Sequence, residues 1–75
     1  MARLPQVCAR EAIRAFERVG YEVVRQRGSH IRLRTADGTR APLTVPNHSP
    51  LKPGLLRRLL RDAAVSVDEF IALLG

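Results

Sequence analysis

Apolar and polar positions repeat with two different periods along this 75-residue chain. From Cys8 to Val19 the apolar residues Ala9, Ala12, Ile13, Phe16 and Val19 return every three or four positions, with Arg10, Glu11, Arg14, Glu17 and Arg18 around the rest of the cylinder. That spacing predicts an amphipathic helix, closed by Gly20, which has no Cβ and enters the left-handed conformation cheaply. The period then changes. Tyr21-Glu22-Val23-Val24-Arg25-Gln26 is rich in strand formers, Arg27-Gly28-Ser29 reads as a turn, and His30-Ile31-Arg32-Leu33-Arg34 alternates strictly. Together they predict a β-hairpin. Asp37-Gly38 is a second turn signal, and Leu43-Thr44-Val45 predicts a third antiparallel strand. Pro42 has no N–H to give to a ladder and sets that strand at an edge.

After the proline-punctuated stretch from Val45 to Pro50, the helical period returns from Pro53 through Leu55, Leu56, Leu59, Leu60 and Ala63, with Arg57, Arg58 and Arg61 on the other face. Ser66-Val67-Asp68-Glu69 fits a capping box, with Val65 placed to staple onto Phe70. A last short helix therefore carries Phe70, Ile71, Leu73 and Leu74. The fold class is α+β in one domain spanning residues 1–75: helix, three-stranded antiparallel sheet, helix, short helix. One sheet face must lie beneath the helices, and Ile31 and Leu33 belong to it. The period of two then puts His30, Arg32 and Arg34 on the opposite, open face.

Charge adds a partner to this picture. The net charge is +6, and twelve of the thirteen cations are arginine, the side chain best suited to gripping phosphate. Between Arg25 and Arg61 stand nine cations and one acid, a net of +8, while the rest of the chain sums to −2. Such polarisation points to a polyanion. With 45% hydrophobic and 27% charged residues the composition is that of a folded protein. The lone Cys8 has no partner for an internal disulfide, and no His/Cys cluster has metal-ligand spacing, so no metal and no other cofactor is indicated. The start Met1-Ala2-Arg3-Leu4-Pro5 lacks the apolar core of a signal peptide, and no apolar run approaches membrane-spanning length. Both point to the cytoplasm and away from a membrane.

His30 is the candidate for chemistry. An imidazole exchanges protons near neutrality, as cleavage of RNA through its 2′-hydroxyl requires. Arg25, Arg27, Arg32 and Arg34 would hold phosphates and stabilise charge on the transferring group. Gly28 permits a tight turn or close approach of an RNA backbone, and Ser29 is a turn residue or a partner for imidazole or phosphate. His48 is a loop residue packed at the sheet edge or a second proton-transfer group. Three classes fit these residues: a ribonuclease, a non-catalytic RNA-binding module using the same basic sheet, and a DNA-binding partner, which lacks a helix-turn-helix pair here.

Gly20-Tyr21, Val24-Arg25-Gln26-Arg27-Gly28-Ser29-His30, Val45-Pro46-Asn47-His48 and the segment from Leu51 to Leu60 resemble the HicA-type toxins. The resemblance covers nearly the whole chain. It implies a fold like the double-stranded-RNA-binding domain, a metal-independent endoribonuclease acting on messenger RNA with His30 as the catalytic histidine, and a HicB-type antitoxin covering the His30 face. The sequence departs from the family pattern at Cys8, where a capping serine or threonine is common, and at Pro42 in the third strand. It departs again at Leu55, where threonine often follows the glycine, and at Ala64, where glycine often precedes the final helix.

Overall fold

A computed structural model describes residues 3–75; Met1 and Ala2, which open the stretch inspected for a targeting segment, lie outside the described residues. The elements run α1 (Ala9–Glu17), β1 (Tyr21–Arg27), β2 (His30–Thr35), β3 (Leu43–Pro46), α2 (Pro53–Ala63) and α3 (Val67–Leu74). The strands form one antiparallel sheet in the order β1-β2-β3, so β2 is central and β3 lies at an edge, as Pro42 suggested. Pro42 itself precedes β3, and it is Pro46 that ends the strand. Ile31 and Leu33 of β2 and Leu43 and Val45 of β3 are buried in one cluster with Phe16 of α1, Leu56, Leu59 and Leu60 of α2, and Phe70 of α3. The helices thus cover one face of the sheet and leave the other open, in the manner of the double-stranded-RNA-binding domain with a short helix appended. Phe16 is the hinge of this core, meeting Tyr21 edge-on at 5.8 Å and Phe70 at 5.7 Å between ring centroids.

Local chemistry explains where the elements stop. Helix α1 is shorter than its apolar period at both ends. Cys8 is the N-cap rather than the first helical residue, and its N–H donates to the Glu11 carboxylate at 3.0 Å. That hydrogen bond holds the Glu11 carboxyl below its ordinary pKa. At the other end the N–H groups of Arg18, Val19 and Gly20 bond back three residues, to Ala15, Phe16 and Glu17, and Gly20 turns the chain with φ +104°. The tightened last turn brings Tyr21 straight into the sheet. Helix α3 begins with the expected capping box: Glu69 N–H donates to Ser66 Oγ and Ser66 N–H to the Glu69 carboxylate, each at 3.1 Å. Val65 and Phe70, which flank that box, are both buried.

Two arginines are spent on helix ends. Arg18 Nη1 donates to the carbonyl of Leu73 at 2.6 Å, at the last turn of α3, and Arg40 Nη1 donates to the carbonyl of Ala63 at 2.5 Å, at the end of α2. Each places a cation where the helix presents unpaired carbonyls.

Ala64 closes α2 in the left-handed conformation, with φ 58° and ψ 41°. A side chain with Cβ costs about 1–2 kcal/mol there, and glycine returns part of that gain through its looser unfolded chain. Ala64→Gly should therefore raise stability by about 0.5–1 kcal/mol. Thermal denaturation should show a rise of roughly 3–6 °C. A lower Tm would mean that the Ala64 methyl packs more favourably than its backbone is strained.

Candidate nucleic-acid interface

The open sheet face is built from β2 outward. Because Ile31 and Leu33 are held in the core, His30, Arg32 and Arg34 point away from it; His30 and Arg34 are exposed and Arg32 is half-buried. The hairpin turn is only two residues, Gly28 and Ser29, with Gly28 at φ 58° and Ser29 in the ordinary range. This is the type II′ pattern, which sets glycine at the first turn position.

Strand β1 then supplies two arginines by an irregular route. Tyr21 lies on the buried face, opposite Thr35, and strict alternation from it would send Val23, Arg25 and Arg27 all toward the helices. The pairing is not strict. Val23 faces Leu33, but Arg25 faces Arg32 and Arg27 faces His30, so Val24 is an extra residue, a β-bulge. After the bulge the alternation is inverted. Arg25 and Arg27 arrive on the open face beside His30, and Gln26 takes the helix side opposite Ile31.

The result is a depression of ≈630 Å³ lined by Val24, Arg25, Arg27, His30, Arg32, Arg34 and Thr44. Thr44 stands opposite Arg32 on β3, and its Oγ1 accepts a hydrogen bond from Arg32 Nη1 at 2.9 Å, fixing that guanidinium in the floor. Arg25 and Arg32 are a directly opposed like-charge pair, an arrangement that costs stability in a sheet. An anion placed between the two guanidinium groups would offset that cost. The ligand this face suits is polyanionic.

Five of the sequence candidates, Arg25, Arg27, His30, Arg32 and Arg34, are thus brought together, and three, Gly28, Ser29 and His48, are not. Gly28 and Ser29 form the turn at the end of the depression without lining it. The Ser29 carbonyl is bonded to the N–H of Asn47 at 2.6 Å, which ties the turn to the loop after β3. His48 also stays outside the lining; it is exposed, and its carbonyl accepts the N–H of Ala9 at 3.1 Å at the start of α1. The +8 stretch does not make one surface. Arg40 is bonded to the end of α2, while Lys52, Arg57, Arg58 and Arg61 are exposed around α2, which packs on the opposite face of the sheet. Val24 and Thr44 are lining residues that the sequence pattern did not single out. A strand whose apolar doublet breaks the alternation, Val23-Val24 ahead of Arg25-Gln26-Arg27, is the signal that could have exposed the bulge.

A model of the family described as "HicA toxin of bacterial toxin-antitoxin" matches residues 9–65, from the start of α1 to the residue before the α3 cap. The chain belongs to the HicA toxin family. It is a toxin of a toxin–antitoxin system, and membership implies an antitoxin of the HicB type as its counterpart. No curated protein matches the chain. The matched segment contains every residue that lines the depression. Among the described residues of this HicA-family chain, no helix is long and apolar enough to cross a membrane, and no three His, Cys, Asp or Glu side chains come together as a metal-binding group.

Proposed function

We propose that this HicA-family toxin is an endoribonuclease that cuts messenger RNA on the open sheet face, with His30 as its catalytic residue. The observation that carries this reading is the placement of an exposed imidazole inside a depression lined by four arginines. His30 takes the proton of a 2′-hydroxyl as that oxygen attacks the adjacent phosphorus. The bond to the 5′-oxygen breaks, and the leaving oxygen collects a proton from imidazolium or water. Arg25 and Arg27 on one side and Arg32 and Arg34 on the other hold the backbone and neutralise charge gathering on the phosphoryl oxygens. Gly28 and Ser29 serve the site by making the turn that delivers His30. The same cationic face is the natural target of the antitoxin, whose complementary surface would be acidic.

Purified protein incubated with single-stranded RNA should yield fragments ending in 2′,3′-cyclic phosphate, at a rate unaffected by EDTA. Affinity should fall steeply with salt. Arg32→Ala or Arg34→Ala should lower the slope of log affinity against log salt by roughly 0.7 for each phosphate left without its guanidinium. A salt-independent affinity would sink the basic-face reading. Binding without cleavage by the wild type would leave a non-catalytic RNA-binding module.

A further inference from the structure

Val24 has no partner in the β1–β2 register. Tyr21, Glu22 and Val23 pair with Thr35, Arg34 and Leu33, and Arg25, Gln26 and Arg27 continue with Arg32, Ile31 and His30, so removing Val24 would leave a hairpin in unbroken register. The arginines would keep their faces, since Arg25 would take the backbone place of Val24. The extra residue brings an unpaired stretch of ladder and an apolar side chain 49% exposed on an edge strand. Bulges do protect sheet edges from pairing with other chains, but that role favours a charged residue, and an exposed valine works against it. What Val24 does contribute is an aliphatic side chain in the lining of a depression whose other residues are polar or charged.

From this we infer that Val24 is a base-contacting residue: an apolar platform against which a nucleobase of the RNA strand packs while the arginines hold its phosphates. The inference rests on the RNA reading of this face and adds the part of the substrate that the cations cannot sense. Phosphate contacts fix position and do not engage the bases, so holding a base needs an interaction of another kind. Val24 lies three residues along the same strand from Arg27, the partner of His30, which puts the packed base on the same face as the phosphate being cut and roughly one or two nucleotides from it.

The test compares two uncuttable probes of equal length: a mixed-sequence 2′-O-methyl RNA oligonucleotide, and a spacer oligonucleotide that carries phosphates without bases. Val24→Ala and Val24→Thr, the second preserving the β-branched shape, should weaken binding of the base-bearing probe by about three- to tenfold. Both should bind the spacer within about twofold of wild type, because that affinity is electrostatic. The variant lacking Val24 should stay folded, with a Tm no lower than wild type, and lose the same preference for bases. Equal weakening on both probes, or no weakening on either, overturns the assignment while leaving the RNA reading intact. Loss of folding on deletion of Val24 overturns it as well, since the residue would then be structural. A wild type that binds neither probe overturns the RNA reading and this assignment together.

Discussion

His30→Ala is expected to abolish RNA cleavage while leaving RNA binding and the fold in place. Proton transfer by a positioned side chain contributes roughly a hundredfold to ten-thousandfold to a rate, and the variant should lose at least the lower figure in turnover. Binding should persist because the four arginines of the depression are untouched. Folding should persist because His30 is exposed and faces Arg27 and Pro46 across the sheet rather than the core. In cells, expression of the wild type without its antitoxin should arrest growth, and expression of His30→Ala should not. The decisive measurement is single-turnover cleavage of a labelled oligonucleotide by both proteins, purified free of contaminating nucleases. If the variant cuts as fast as the wild type, the histidine is a bystander and catalysis must be sought elsewhere on the face.

Strand β2 was legible in the sequence because it is central and buried on one face only. Under that condition the period of two is obligatory: Ile31 and Leu33 must go in, so His30, Arg32 and Arg34 must come out. Helix α2 and the cap of α3 were legible for similar reasons, since a proline at the first helical position and a Ser-x-x-Glu box are local signals that tertiary packing had no cause to override. Strand β1 obeys no such rule. It is an edge strand exposed along nearly its whole length, so burial does not discipline its pattern, and the one buried residue, Tyr21, fixes only its beginning. The bulge at Val24 then inverts the faces of everything after it. Naming Arg25 and Arg27 as partners of His30 was therefore possible from charge and from family resemblance, whereas their arrival on the same face depended on an inserted residue whose one trace in the sequence is the apolar doublet Val23-Val24.

The electrostatic picture shows a related limit. Nine cations between Arg25 and Arg61 suggest one intense surface, yet only four reach the depression. A sequence count cannot tell a guanidinium that meets ligand from one that satisfies helix carbonyls, as Arg40 does for α2. The distinction depends on the β2–β3 loop folding back against the end of that helix, a long-range approach with no local signature. Ala64 is the opposite case. Its departure from the glycine common in the family pointed to the one non-glycine residue with positive φ among the described residues.

The division of the sheet into a buried and an open face can itself be broken by a single substitution. Leu33 is fully buried between Val23 on β1 and Leu43 on β3, beneath the helices. Leu33→Asp removes a large apolar side chain from a filled core, a loss of about 2–5 kcal/mol, and leaves a buried carboxylate without a cationic partner, which adds several kcal/mol more. A protein of this length has a total stability of the order of 5–10 kcal/mol. The variant should therefore be unfolded at 25 °C, with the far-ultraviolet circular dichroism of a disordered chain and no cooperative melting transition. Arg32→Asp, one residue away, should melt within a few degrees of wild type. Its carboxylate would face solvent and stand opposite Arg25, replacing a like-charge pair with an opposite one. The bond to Thr44 that it forfeits is open to solvent and contributes little. A folded Leu33→Asp beside an unfolded Arg32→Asp would mean that the faces are reversed, and His30 would then lie under the helices, out of reach of any RNA.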